Sequence, residues 1–142
     1  MKKLLATVCF IALICSLSSC SYIKEEDAKV FVHEYLALLE EENYEEIELM
    51  SDFYEDDIVS GFEELEKQTN LDFQSGIEIV EYTGFKSRHS DSYYGVPLCS
   101  LTMKVSIGGT AALMEIQVID EDGVYKTCDV YFTINDELFG IS

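Results

Sequence analysis

Basic residues are scarce in this chain of 142 residues, where 9 Lys and Arg stand against 28 Asp and Glu. The net charge of −19 argues against a nucleic-acid-binding role, because a phosphate backbone is held by cations and repelled by an acidic surface. Intrinsic disorder is excluded, since 48% of the residues are hydrophobic and 12% are aromatic. The length suits one small domain.

The chain also lacks an apolar run long enough to span a bilayer. Residues 4–17 carry no charge and follow Lys2 and Lys3, which is the layout of a secretory signal peptide. A run of about 14 residues falls short of the roughly 20 that a transmembrane helix needs. We therefore expect a targeting signal and not a membrane span.

The targeting signal ends in Leu17, Ser18, Ser19 and Cys20. Here the chain resembles bacterial lipoproteins, whose lipobox has an aliphatic residue, two small residues and then the cysteine. Cys15 fits less well, because the residues before it are not small. The resemblance implies cleavage before Cys20 and attachment of diacylglycerol to its sulfur, and acylation of the new amino group can follow. Two or three acyl chains anchor a protein stably, whereas one chain does not.

The expected organisation has three parts. Residues 1–19 form the lipoprotein signal peptide, residues 20–26 the lipidated cysteine and a tether, and residues 27–142 a single domain on the extracytoplasmic side of a bacterial membrane. Cleavage leaves seven basic residues against 28 acidic ones. Most of the acids are expected on solvated helix faces. The acidic run at residues 55–57 lacks the alternating oxygen ligands of an EF-hand, so no calcium site is predicted.

Three helices are predicted in the first half of the domain. The first begins at Asp27 and has an apolar stripe at 3.6-residue spacing. The stripe comprises Ala28, Phe31, Val32, Tyr35, Leu36, Leu38 and Leu39. The second helix is expected to begin at Asn43, with Glu46 completing a capping box. The third is expected to begin with a similar box at Ser60 and to end near Asn70.

After Asn70 the period changes to two, which predicts antiparallel strands at 77–89, 96–107 and 110–119. Gly84 is a candidate bulge, and Gly108 with Gly109 forms a two-residue hairpin loop. If residue 107 faces residue 110, eight apolar side chains share one face. They are Cys99, Leu101, Met103 and Val105, opposite Val118, Ile116, Met114 and Ala112.

A further hairpin is predicted to turn in a three-residue loop at 121–123 and to continue as a strand at 124–134. Its inward face is expected to be apolar apart from Lys126. That face comprises Val124, Cys128, Val130, Phe132 and Ile134. The fold class is therefore α+β, with about three N-terminal helices packed on one face of a curved four-stranded antiparallel sheet.

This order of three helices and a long antiparallel sheet resembles the nuclear transport factor 2-like superfamily, also called the cystatin-like α+β cone. Several families of small bacterial lipoproteins have this fold. The resemblance covers residues 27–134 and includes the turn before the last strand. Many members have Trp-Lys after the glycine of that turn, where this chain has Tyr125 and Lys126. The resemblance implies a fold and no particular activity.

Cys99 and Cys128 are expected to be buried thiols without a disulfide. The predicted register places them on one face with a strand between them, about 9 to 10 Å apart. A disulfide needs α-carbons within about 7 Å. Two cysteines without an inward histidine also make a poor zinc site.

Enzymes of the superfamily, such as ketosteroid isomerases and dehydratases, place an acid or base inside the cone. Here Lys126 is the only ionisable side chain that the pattern turns inward, so no catalytic residue, cofactor or metal is predicted. His33 and His89 are expected at the surface. The candidate pocket consists of Lys126, Cys99, Met103, Met114, Cys128, Phe132 and Tyr35.

The leading hypothesis is a non-catalytic binding module that receives an apolar small molecule, peptide or protein partner in the cone. The alternative is an acidic protein-interaction lipoprotein, of the immunity or inhibitor kind, that meets a basic partner. An isomerase-like or dehydratase-like enzyme is a third reading. An interior void with convergent polar groups favours a small ligand, whereas a cone filled by Phe31, Tyr35 and Leu39 favours a surface role.

Overall fold

The computed structural model describes residues 22–53, 58–89 and 95–141. The predicted signal peptide, the lipobox with Cys20 and the acidic run at 55–57 lie outside the described residues. Three helices precede the sheet: α1 (Glu25–Glu40), α2 (Tyr44–Leu49) and α3 (Ile58–Thr69). A short 3₁₀ turn, Phe73–Ser75, leads into the first strand.

The apolar stripe of α1 packs as predicted. Its buried residues are Ala28, Phe31, Val32, Tyr35, Leu36 and Leu39. The third helix differs from the expectation, because Ser60 lies inside α3 and is not its cap. The buried side chains Ile58, Phe62 and Leu65 lie on one face of α3, so the apolar stripe begins before Ser60.

The predicted cap of α2 is right in position and wrong in chemistry. Asn43 is the residue before the helix, but its side chain makes no capping hydrogen bond. Asn70 ends α3 as predicted, with a φ of 55° that breaks the helical path.

Five antiparallel strands form one sheet in sequence order: β1 (Ile77–His89), β2 (Pro97–Ile107), β3 (Thr110–Glu121), β4 (Val124–Ile134) and β5 (Glu137–Ile141). The α+β class and the helices on one face of the sheet are confirmed. The predicted number of four strands is too low, because β5 has only five residues, most of them exposed, and is too short to show a clear alternation of apolar and polar side chains.

The β2–β3 hairpin has the predicted register. Gly108 and Gly109 both have positive φ angles, 54° and 85°, and Ile107 pairs with Thr110. The four apolar pairs follow as expected, from Val105 with Ala112 to Cys99 with Val118. The strand β1 has a register shift that ends at Gly84, where a bulge was predicted, and a second shift between Ile79 and Glu81.

The β3–β4 hairpin departs from the prediction in its loop. Glu121 pairs with Val124, so the loop has two residues and not three. Its residues Asp122 and Gly123 have φ angles of 55° and 88°, which is the pattern of a tight hairpin turn.

A bulge in β4 changes which side chains face the helices. Gln117 pairs with Asp129 and the next residue, Val118, pairs with Thr127, so Cys128 is an extra residue in the ladder. A one-residue slip moves every side chain before it to the other face. Residues 130–134 keep the predicted orientation, and residues 124–128 do not.

Three predicted inward orientations are therefore wrong, those of Val124, Lys126 and Cys128. Val124 pairs with Glu121 beyond the bulge and is 56% exposed. Lys126 pairs with Ile119, which lies on the sheet face turned away from the helices. Cys128 packs with Ile119 and Leu98 on that same face, whereas Cys99 lies in the core beneath the helices. Thr127 takes the inward position instead, and its hydroxyl donates a hydrogen bond to the carbonyl of Gln117 at 2.8 Å.

The segment after α2 covers part of the free edge of β4. The amide of Asp52 donates to the carbonyl of Thr127, and the amide of Thr127 donates to the carbonyl of Met50, both at 2.8 Å. These bonds attach the helical layer to the sheet. They also satisfy backbone groups of β4 beyond the end of β5.

Candidate functional site

The predicted pocket residues on the helix side of the sheet form a packed core. Tyr35, Cys99, Met103, Met114 and Phe132 are each at most 1% exposed and belong to one apolar cluster. The structure thus brings these five residues together, as the pattern predicted. It does not add Lys126 or Cys128, which the bulge in β4 moves to the other face.

Helical side chains fill the space above the inner face of the sheet. A chain of aromatic contacts crosses the core, from Tyr35 to Phe62, then to Phe73 and to Phe132, with ring centroids 6.5, 5.8 and 5.9 Å apart. Burial raises the pKa of Tyr35 far above its usual range, and its hydroxyl lies 3.4 Å from Ser51 Oγ. These contacts favour the interpretation of the inner face of the sheet as hydrophobic core and not as the lining of a pocket.

The two cysteines are buried, and neither is in a disulfide. Burial raises the pKa of the Cys99 thiol to about 12, so it is protonated and unreactive near neutral pH. The Cys128 thiol donates a weak hydrogen bond to the carbonyl of Gln117 at 3.8 Å. The prediction of buried thiols without a disulfide is confirmed. The two thiols are kept apart because they lie on opposite faces of the sheet, and not because a strand lies between them on one face.

The thiols provide a direct test of this arrangement. In the soluble domain from residue 21 onward, we expect two alkylating groups to be taken up after denaturation without reductant, one at Cys99 and one at Cys128. In the native state at pH 8 the uptake at Cys99 should be slow, because the thiol is buried and its pKa is high. Intact-mass spectrometry measures both quantities. A denatured mass two daltons below the reduced form would reveal a disulfide and contradict the β4 register.

Two adjoining cavities lie on the sheet face that is turned away from the helices. We call them together the sheet trough. The first, of about 260 Å³, is lined by Gly84, Phe85, Lys86, Arg88, Leu98, Ser100, Thr102, Glu115 and Gln117. The second, of about 250 Å³, is lined by Thr102, Leu113, Glu115, Tyr131, Thr133 and Leu138. Because both include Thr102 and Glu115, the trough runs across all five strands.

Strand register explains the shape of the sheet trough. One row across the sheet holds Gly84, Thr102, Glu115, Tyr131 and Gly140, each paired with the next. The glycines in β1 and β5 contribute no side chain at the two ends of this row. The polar side chains between them lie in a depression that larger residues would fill.

The centre of the sheet trough is a hydrogen-bonded carboxylate. Ser100 Oγ donates to Glu115 Oε1 at 2.7 Å. Burial raises the pKa of the nearby Asp129, with the charge of Glu115 adding to the effect and a hydrogen bond from Tyr131 opposing it. Burial and the charge of Asp129 likewise raise the pKa of Tyr131. The trough therefore offers acceptors at its centre and a neutral hydroxyl beside them.

One end of the sheet trough is positively charged. The described residues include seven Lys and Arg, and four of these form ion pairs with Glu side chains: Lys29, Lys67, Lys104 and Lys126. The other three, Lys24, Lys86 and Arg88, are in no ion pair within the described ranges, and of these Lys86 and Arg88 line the first cavity. In a chain of net charge −19, two cations and a single carboxylate, that of Glu115, at one cavity favour an anionic group.

Both histidines lie at the surface, as predicted. His33 Nε2 lies 3.1 Å from the hydroxyl of Tyr82, and His89 Nδ1 lies 3.0 Å from the carbonyl of Gly95. In the part of the chain that the structure describes, no cluster of His, Cys, Asp or Glu is arranged to hold a metal ion. No helix among these residues has the length and apolarity to cross a membrane.

Comparison with models of protein families, with curated proteins and with solved structures finds no significant match to this chain. Its function is therefore argued from the geometry of its surfaces.

Alternation along the predicted β2–β3 hairpin, which turns the eight apolar side chains inward, leaves Ser100, Thr102, Glu115 and Gln117 on the opposite face as ordinary solvent-facing residues, and the structure has them on that face. Alternation shows which face a side chain takes and not whether that face is concave. The signal that was available is the pair of cations on β1, Lys86 and Arg88, in a domain with few others. Their position beside the trough follows only from the β1–β2 register.

Proposed function

We propose that the protein is a membrane-anchored, extracytoplasmic lipoprotein that acts as a non-catalytic binding module. The lipobox ending in Cys20 supports the anchor and the location. The order of three helices followed by a bulged antiparallel meander supports a curved, nuclear transport factor 2-like cone. The packed inner face of the sheet favours a binding surface over an interior pocket.

The binding surface proposed is the sheet trough. The observation that carries this assignment is the convergence of Lys86 and Arg88 on a cavity whose floor is formed by Ser100, Thr102 and Gln117. The cations bind an anionic group, and the hydroxyl and amide side chains bind the polar part of the same ligand. The second cavity, with Leu113 and Leu138 in its lining, receives a less polar part. A peptide or small amphipathic acid has this chemistry.

The test is a binding comparison between wild type and the double variant Lys86→Ala/Arg88→Ala. A thermal-shift screen of small acids, amines and neutral analogues first identifies ligands, and calorimetry then measures their affinity. Anionic ligands should lose about tenfold or more in affinity, since one hydrogen bond to a charged group contributes about 1.5 to 3 kcal/mol. Neutral analogues should change little.

The matched control is Lys24→Ala/Lys67→Ala, which changes the net charge equally at exposed positions away from the sheet trough. Affinity in this variant should stay within about twofold of wild type. If both double variants lost the same amount of affinity for anionic ligands, the effect would come from the net charge of the protein. That result would contradict the trough as the binding site.

A second candidate function is an acidic surface that meets a basic protein. The segment from residue 24 to residue 67 contains 17 of the 28 acids, and two of its three lysines are already paired with glutamates. Such a surface speeds association with a cationic partner and makes the affinity salt-dependent. Binding to a basic partner that persists in Lys86→Ala/Arg88→Ala would favour this candidate over the trough.

A further inference from the structure

We propose that the groove between α3 and β5 binds an extended, positively charged polypeptide segment, which adds a sixth strand to the sheet at the free edge of β5. This groove shares only Leu138 with the lining of the sheet trough, and the inference does not depend on the function proposed for the trough. It rests on the open edge of β5, on a cavity beside that edge and on the charge around it.

The free edge of β5 follows from the hairpin that joins it to β4. The loop has two residues, Asn135 and Asp136, with φ angles of 52° and 66°, and Ile134 pairs with Glu137 across it. In such hairpins the pair that closes the loop is hydrogen-bonded, and bonded pairs alternate along the ladder. The backbone N–H and C=O groups of Leu138 and Gly140 therefore point away from β4.

No other strand is paired with that edge of β5 among the described residues. The remaining strand edges are protected. β1 has two register shifts and an ion pair of 2.7 Å between Glu81 and Lys104, and β4 beyond β5 is bonded to Met50 and Asp52. Bulges, charges and covering segments of this kind prevent edge pairing in natural sheets.

A cavity of about 320 Å³ runs beside the open edge. It is lined by Gly61, Glu64, Leu65 and Gln68 of α3 and by Leu138, Phe139, Gly140 and Ile141 of β5. Gly61 allows the close approach of the helix, since a Cβ placed there would lie 3.1 Å from the Ile141 side chain. Extended peptides add a strand at an exposed sheet edge, and here the channel beside that edge can receive alternate side chains of such a peptide.

The charge around the groove identifies the class of occupant. Glu64 lies in the lining, and Asp136 and Glu137 lie at the start of β5. Lys67 is 3.7 Å from Glu64 at an exposed position, where such a pair is weak. A second copy of the chain would place these acids against their counterparts at a net charge of −19 each, so a cationic segment is the better complement.

Side-chain alternation specifies the segment further. In an added strand, alternate side chains face the inner side of the sheet, where Leu65 and Phe139 form an apolar surface. The remaining side chains face outward, on the side of Leu138. The expected occupant alternates apolar and basic residues over about five positions, which matches the length of β5.

The experiment measures binding of a fluorescein-labelled hexapeptide, Lys-Val-Lys-Val-Lys-Val amide, to the full chain in a non-ionic detergent by fluorescence anisotropy. Two analogues carry N-methyl groups on one or the other alternate set of residues, which keeps the charge and removes N–H donors from one edge. One analogue should bind at least tenfold more weakly and the other within about threefold of the parent. This test needs no protein variant.

Protein variants locate the site. Leu138→Pro removes a donor on the free edge without removing a bond to β4, and proline is tolerated on edge strands. It should weaken binding at least tenfold while the circular dichroism spectrum is kept. Glu64→Gln/Glu137→Gln should weaken binding severalfold, whereas the control Glu45→Gln/Glu48→Gln, at exposed positions of α2, should stay within twofold.

Three outcomes would overturn the proposal. Equal binding of both methylated analogues would show that the peptide is held by charge and not by strand addition. Unchanged binding by folded Leu138→Pro would place the peptide elsewhere. A dimer in sedimentation experiments that Leu138→Pro dissociates would assign the edge to a second copy of this chain.

Discussion

Replacement of Cys20 by serine is expected to abolish fatty-acid labelling and to leave the protein as an uncleaved or soluble precursor. Under the proposed lipoprotein assignment the thiol of Cys20 accepts diacylglycerol, and serine has no thiol to do so. Two or three acyl chains make the wild-type anchor effectively permanent, so the difference should be nearly complete. Metabolic labelling with a fatty acid, followed by detergent partitioning, measures both effects.

The control is Cys15→Ser, which removes the other cysteine near the end of the apolar run. Because the residues before Cys15 are not small, this variant should be labelled like wild type. Equal labelling of wild type and Cys20→Ser would end the lipoprotein interpretation. Loss of labelling in Cys15→Ser alone would move the anchor five residues upstream.

Replacement of Phe62 by alanine should cause the largest loss of stability in the described core. Phe62 is fully buried and its ring contacts those of Tyr35, Tyr44 and Phe73. Removal of a buried aromatic side chain costs about 3 to 5 kcal/mol, from lost transfer free energy and the cavity left behind. For a domain of this size that corresponds to a fall in Tm of about 10 to 20 °C. Thermal and urea unfolding provide the measurement.

Leu49→Ala is the matched control, since Leu49 is 70% exposed on α2. Its free energy of unfolding should change by at most about 0.5 kcal/mol. A small apolar probe such as benzene should raise the Tm of Phe62→Ala and leave that of wild type unchanged, because the substitution opens a cavity in the packed core. A rise in the wild-type Tm would show room inside the core and return the binding site to the interior.

The hairpin at residues 108–109 shows how much local chemistry can predict. Two adjacent glycines allow the positive φ angles of a tight turn, and only one register then places Met103 opposite Met114 with all the apolar side chains on one face. The stripe of α1 is equally local, since its spacing alone places Tyr35 and Leu39 against the sheet. These features depend on neighbours in sequence, so pattern and propensity were sufficient.

The bulge at Cys128 shows where such reasoning ends. Alternation continued from Phe132 back to Lys126 predicts an inward lysine, and one unpaired residue reverses that assignment. The bulge lies where Met50 and Asp52 bond to Thr127, so a contact between distant segments accompanies it. No pattern within β4 reports on that contact. The missed strand β5 is similar, because its five residues are stabilised by pairing with β4 and packing against α3.

The candidate sites also combine features that the sequence predicts with features that only the tertiary structure shows. By itself the sequence determined the acidic charge, the expected address at a membrane, the α+β class and the face on which Ser100, Thr102 and Glu115 lie. These follow from composition and from the 3.6- and two-residue periods, which are properties of the local chain. Only the tertiary structure decided that the inner face is filled, that Lys86 and Arg88 lie beside a trough, and that the edge of β5 is open next to α3. Concavity, packing and open edges depend on distances between segments far apart in sequence. Local periodicity carries no information on those distances.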